Sequence, residues 1–255
     1  MRGAARPRVD SPNRQAQTRP RSFDGGLAPV TTVLVTGANR GLGLEFVRQY
    51  AARGADVIAT CRDPEAAREL RALAGHVTIH PLDVNDASAT SRLVTALDGK
   101  PIDVFVCNAG INSPPATIDA IDEAGFLRVM QTNVMAPMRL VGLLADQIAA
   151  SADKRIVFLG SRMGSVSTND RGGGYVYRAS KAALNAVVKS LSIDLAPRGI
   201  ICVLVHPGAA KTAMAGARGT VEVADSVRGI LHIADHATPA QSGILYNYTG
   251  EEIPW

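Results

Sequence analysis

Tyr177 and Lys181 stand four residues apart in the run YRASK. On a helix that spacing puts a phenol and an ammonium on one face. Tyr175 lacks such a partner, because its fourth neighbour is Ala179. About 140 residues earlier, the run Thr36-Gly37-Ala38-Asn39-Arg40-Gly41-Leu42-Gly43 ends a β-branched stretch and opens an amphipathic one. Gly37, Gly41 and Gly43 follow the spacing G-x-x-x-G-x-G. Without a Cβ the backbone turns tightly there, and its N–H groups can approach a pyrophosphate at a helix N-terminus. A free phenol titrates near pKa ~10 and relays protons poorly at neutral pH. A neighbouring ammonium, with the positive ring of an oxidised nicotinamide, favours the phenolate and lowers that value. A dinucleotide cradle and an activated proton donor together equip a chain to pass hydride to or from a carbonyl.

The choice between nicotinamide cofactors turns on the tip of the second strand. An acidic residue that holds the ribose 2′-OH of NAD is expected there. This chain has Cys61-Arg62 instead, and Asp63, one position late and followed by Pro64, reads as a helix cap. Arg62, and Arg40 within the glycine run, suit a 2′-phosphate, which favours NADP(H). An NAD(H)-dependent alcohol dehydrogenase is the disfavoured alternative.

These groups need a scaffold that holds them at one edge. Apolar β-branched segments at 32–35, 57–60, 77–80, 104–107, 156–159, 201–205 and 244–248 alternate with amphipathic ones at 42–53, 65–73, 87–97, 134–150, 180–195 and 221–233. Asp86 and Asp63 are candidate helix starts. The strands are too uniformly apolar to leave one face wet. The pattern therefore predicts a doubly wound α/β fold of the Rossmann type, a parallel sheet of about seven strands with helices on both faces. Ligands bind such sheets beyond the carboxyl ends of the strands, and both runs above fall there.

The chain has 255 residues, 46% of them apolar and 20% charged, with a net charge of +4. That suits one domain over 30–255, read as the NADP(H)-binding catalytic unit, with no apolar stretch long enough to span a membrane. The excess charge belongs to the first 22 residues, which hold six arginines against Asp10. Residues 1–29 read as a disordered basic extension, their prolines breaking any amphipathic targeting helix. The near-neutral remainder has no basic stripe interleaved with aromatics, which argues against a nucleic-acid partner. Cys61, Cys107 and Cys202 are odd in number and set in apolar runs, so free buried thiols and a cytoplasmic, reducing setting are expected. His232 and His236 share a helix face but lack an evident third ligand, and no metal site is expected.

TGANRGLG, the Asn108-Ala109-Gly110 run, Asn133 in QTNVMAP, Ser161 in IVFLGSRMGS, YRASK and the Pro207-Gly208-Ala209-Ala210-Lys211-Thr212 run together resemble the short-chain dehydrogenase/reductase family, over about residues 30–255. ATCRDP, YVYRASKAALNAVVKSLSIDL and YNYTGEEIPW are most similar to its Sniffer-type carbonyl reductases and C-factor-like members. The resemblance implies Tyr177 as general acid/base, Lys181 lowering its pKa and holding the nicotinamide ribose, Ser161 polarising the substrate oxygen, and Asn133 holding a water that links Lys181 to solvent. It implies Asp83 at the adenine amino group with Val84 beside it, and Asn108, Ala109 and Gly110 about the adenine ribose. Thr212 would touch the carboxamide or pyrophosphate, near Pro207 and Gly208, while Asn39, Arg40 and Leu42 complete the cofactor loop. The chain departs from the family in having Gly160-Ser161 where two serines are usual, in a longer Gly-rich loop before Tyr177, and in a short AMAGARG stretch where others carry a substrate lid. The last implies an open site with loose substrate choice. The family's usual pairing of the helices after strands four and five implies a dimer or tetramer. The C-factor-like likeness leaves a second class open, a nucleotide-bound signalling protein with incidental catalysis.

Overall fold

A computed structural model describes residues 31–113 and 118–255, so the basic stretch 1–29 lies outside the described residues. In each strand, alternate side chains reach opposite faces of one sheet. Leu34, Ile58, Phe105, Ile156, Phe158 and Leu204 join one core, while Val33, Val35, Val57, Val106, Val157 and Val203 join the other. The elements in order are β1 (Thr32–Thr36), α1 (Gly41–Ala52), β2 (Asp56–Cys61), α2 (Arg68–Arg71), β3 (Val77–Pro81), α3 (Ala87–Ala96) and β4 (Val104–Cys107). They continue as α4 (Glu123–Met130), α5 (Ala136–Ala149), β5 (Arg155–Leu159), α6 (Tyr175–Asp194), β6 (Ile201–His206), α7 (Val223–His236) and β7 (Leu245–Asn247). Helices α3, α5 and α6 cover the first core and α1 and α7 the second. All strand pairs are parallel, in the order β3-β2-β1-β4-β5-β6-β7. The order reverses between β1 and β4, and that crevice is where such a sheet takes a ligand. The expected doubly wound sheet is therefore present.

Several boundaries differ from the sequence reading, each for a local reason. The segment expected to be helical over 65–73 shortens to α2, because the Asp63 carboxylate takes the N–H groups of Glu65 and Ala66, each at 3.1 Å, in a turn. Asp86 caps α3 as expected, accepting from Ser88 N at 2.8 Å. The helix expected over 134–150 begins far earlier, with α4 running through a π-turn (Gln131–Met135) into α5. Pro137 lies in the first turn of α5. Its ring cannot fit an unbroken α-helical ladder, and the wider π-turn gives it room. Helix α6 starts at Tyr175 instead of residue 180, so Tyr177 lies inside its first turn. The three cysteines are buried and unbonded.

Candidate active site

At the β1–α1 turn the backbone does the work. Gly43 sits so near the Gly37 carbonyl that a Cβ there would fall 2.1 Å from its oxygen. No side chain caps α1, and its first turn carries no acidic residue. The N–H groups that a helix start leaves unpaired therefore face no protein competitor. Thr212 packs over the same turn, its Cγ2 3.3 Å from where a Cβ on Gly41 would stand. Arg40 and Arg62 are exposed at this end, and neither forms an ion pair among the described residues. Val84 and Ala109 line a small pocket with Thr36, Cys107 and Thr132, beside the crevice. Asp83 follows β3 and turns its carboxylate onto Asn85 N at 2.9 Å. The uncapped helix start, the glycine approach and the unpaired arginines fit a dinucleotide diphosphate with a 2′-phosphate.

The Asn108 side chain has a task in the fold itself. Both hydrogens of its amide go to the glycine turn, to Thr36 O at 2.8 Å and Gly37 O at 3.0 Å. It braces the cradle from behind. Thr36, which sequence reasoning passed over, is the hub: its hydroxyl accepts from Asn108 N and Ala109 N, each at 3.1 Å, and donates to Val106 O at 3.3 Å. Gly110 leaves no slack, since a Cβ there would come within 3.3 Å of Asn133 Oδ1.

The chemistry-bearing side chains collect one strand further along. Lys181 is buried, with Nζ 2.7 Å from Leu159 O and 5.7 Å from the Tyr177 ring centre. Burial lowers its pKa to about 8. Burial also pushes the Tyr177 phenol above its usual range, and the nearby Ser161 hydroxyl draws it part of the way back. In the polypeptide alone, desolvation sets the direction of the phenol's shift. Tyr175, at the solvent-facing start of α6, is 42% exposed. Asn133 clamps two elements: its Oδ1 accepts from Ile111 N at 2.9 Å, and its Nδ2 donates to Ile111 O at 2.9 Å and Ser180 Oγ at 3.1 Å. Its amide hydrogens thus tie the π-turn both to the loop after β4 and to α6.

Ser161 opens a 3₁₀ turn (Arg162–Gly164), its Oγ accepting from Met163 N at 3.1 Å. The Gly-rich loop that follows ends in Gly172, Gly173 and Gly174 with φ of 61°, 61° and 59°. Only glycine takes three such left-handed positions in succession without strain, which explains the composition of that loop. Pro207 and Gly208 follow β6, and the Pro207 carbonyl accepts from Ser226 Oγ at 2.6 Å. The short stretch after Thr212 is closed at its base: Ala210 pairs with Val221, and Lys211 forms an ion pair with Glu222. His206, unremarked in the sequence, ends β6 with its Nδ1 buried and unpartnered. Burial, with Arg162 and Lys181 nearby, holds it neutral to a pKa of about 4. The His232–His236 pair is tied up locally, with His236 Nδ1 2.8 Å from His232 O. No three His, Cys, Asp or Glu side chains converge among the described residues.

A family model described as short chain dehydrogenase matches residues 31–222. The C-signal protein of Myxococcus xanthus is 40% identical over 155 residues, which cover 61% of this chain and 93% of that protein. The carbonyl reductase Sniffer of D. melanogaster superposes with a TM-score of 0.82 at 32% identity, over 89% of this chain and 100% of its own. An NADPH-bound carbonyl reductase from chicken fatty liver superposes with a TM-score of 0.80 at 34% identity, over 89% of this chain and 99% of its own.

Proposed function

The chain belongs to the short-chain dehydrogenase family, and from that premise we propose that it is an NADP(H)-dependent carbonyl reductase with Tyr177 as its proton donor. The observation that carries the reading is the placement of Ser161, Tyr177 and a buried Lys181 beside a glycine cradle, all at the carboxyl edge of one sheet. NADPH, once bound, supplies the hydride. Gly37, Gly41 and Gly43 admit its pyrophosphate, Arg40 and Arg62 hold the 2′-phosphate, and Asp83 with Val84 receives the adenine. Ser161 holds the substrate oxygen and stabilises its growing negative charge, and Tyr177 gives that oxygen a proton. Lys181 keeps a positive charge against the phenol and offers its remaining hydrogens to the ribose. Asn133 locks α6 to the loop after β4, so that these groups keep their distances. The NADPH-bound and Sniffer-type relatives support the cofactor and the carbonyl substrate class.

The short, base-closed stretch after Thr212 leaves the pocket open, and a broad range of small carbonyls fits that opening better than one tailored substrate. The chain associates with a second copy through α5, the π-turn before it and α6, where Met135, Met138, Leu143 and Ile193 are exposed apolar side chains. Light scattering after size exclusion checks this, and a monomeric mass would refute it.

The decisive assay follows NADPH consumption with aldehydes, ketones and quinones, with Tyr177→Phe beside the wild type. Removing the proton donor should lower kcat on the order of 10³-fold while leaving the NADPH Kd within about twofold. The identity to C-signal favours a second reading, a nucleotide-bound signalling protein. Tight NADPH binding without turnover across the panel would favour that reading over the first.

A further inference from the structure

Asn185 lies on α6 four residues beyond Lys181 and eight beyond Tyr177, so the three share one face of the helix. Its side chain is 2% exposed, between Leu184 and Val188, both in the apolar core. Nδ2 donates to Gly164 O at 3.2 Å, while Oδ1 is buried with no partner. An amide that strands its own acceptor contributes little net stability, because the desolvated oxygen offsets the bond formed by the nitrogen. A leucine would serve the core at least as well. The amide is better explained by what it holds.

It holds the serine turn. Gly164 N donates to Ser161 O at 2.9 Å, and Met163 N donates to Ser161 Oγ at 3.1 Å, so Gly164 and Ser161 move as one turn. Gly164 lies flat on α6, where a Cβ would fall 2.7 Å from the Lys181 carbonyl carbon. The far end of the segment is tied separately, by the Ser165 hydroxyl to Pro254 O and by Ser167 N to Trp255 O at 3.1 Å. We infer that Asn185 is a positioning residue: it ties the serine turn to the helix carrying Tyr177 and Lys181, and so fixes the Ser161 hydroxyl against the phenol. Where this concerns turnover it rests on the reductase reading above; the tie itself does not.

The test is Asn185→Leu, made in the wild type and in Ser161→Ala. With the donor gone and the volume kept, kcat should fall roughly tenfold while the KM for NADPH and the melting temperature hold. In the Ser161→Ala background the same substitution should cost nothing further, because it acts through a hydroxyl already removed. Amide exchange across 161–165, read by mass spectrometry without substrate, should quicken. A wild-type kcat in the variant, an equal loss in both backgrounds, or unchanged exchange would overturn the inference. Should leucine not fit, Asn185→Ala reads the same three quantities. A wild type that turns over no carbonyl would instead fail the reductase reading, and the exchange experiment alone would then decide the tie.

Discussion

Gly43 approaches the Gly37 carbonyl within a single turn of chain, whereas Ser161 is held by residues far along the sequence. Asn185 reaches its turn across 21 residues and Pro254 across 89. The cofactor edge of the sheet is shaped first by local backbone geometry, with Asn108 bracing it from behind, uncapped N–H groups, and arginines at the surface that form no ion pair among the described residues. The edge proposed to carry the chemistry is built by tertiary ties around buried polar groups, Lys181 and Asn133 among them. Local construction gives a cradle that tolerates no side chain in the wrong place. Tertiary construction gives a constellation whose pKa values are set by burial and so by everything packed above it.

The sharpest way to break the contrast is Gly43→Ala. The new Cβ would stand 2.1 Å from Gly37 O, a backbone atom with no freedom to move aside. The substitution should cost about 3 kcal/mol in unfolding free energy or in NADPH binding, at the upper end for overpacking. Urea unfolding and fluorescence titration with NADPH read the two. Wild-type values in both would show that the cradle is not set by its own backbone.

Lys181→Met probes the other edge, through pH. The unfolded lysine keeps its proton to about pH 10.5, while the folded one releases it near 8. Between those values the unfolded chain binds more protons, so the lysine's contribution to stability rises with pH, its burial penalty being full below pH 8. Relative to Lys181→Met, the cofactor-free wild type should therefore gain about 2 kcal/mol between roughly pH 7 and 9.5. Burial raises the pKa values of Cys61, Cys107 and Cys202 in both proteins, so the loss of stability they bring above pH 9 cancels in the difference. A flat difference across that range would mean the ammonium is not desolvated.

How much of each edge could be read beforehand follows from the same contrast. The glycine spacing, Arg40, Arg62 and the strand alternation are patterns a few residues long; the alternation became the parallel sheet, and the glycines and arginines lie at the carboxyl ends of β1 and β2. Tyr177 with Lys181 was legible too, since one helical turn relates them. Thr36 as a hub, Asn108 as a brace, Asn133 as a clamp and the π-turn before α5 were not. Each depends on which distant carbonyl or hydroxyl lies opposite, and no spacing rule carries that. Asn185 stands between the two cases: its place eight residues after Tyr177 is a local signal, but its partner is not.

Arg62→Ala and Arg40→Ala return to the cofactor edge with a smaller effect. Each arginine is exposed, so each charge-assisted contact is worth about 1–2 kcal/mol, and the preference for NADPH over NADH should drop roughly tenfold per substitution. Parallel titrations with the two cofactors measure it. An unchanged preference in both variants would remove the electrostatic basis for NADP(H).

Gly160→Ser carries the smallest expected effect and bears directly on which residue polarises the substrate. The substitution restores the two serines usual in the family, and if residue 160 faced the substrate it would add a second donor there. Its Cβ would instead come 2.9 Å from Leu245 Cδ1 and 3.0 Å from Leu204 Cδ1, on the core side of the strand end. Leucine methyl groups can rotate aside, so the cost should stay near 1 kcal/mol, at the low end for added core volume. The new hydroxyl would lie away from Tyr177, and kcat should not rise. Ser161, by contrast, is near enough to the Tyr177 phenol to oppose the rise that burial imposes on its pKa. Steady-state kinetics on Gly160→Ser beside Ser161→Ala separates the two positions. A gain in kcat from the first, or no loss from the second, would move the oxyanion donor from the tied turn to the strand end and dissolve the distinction between the two edges.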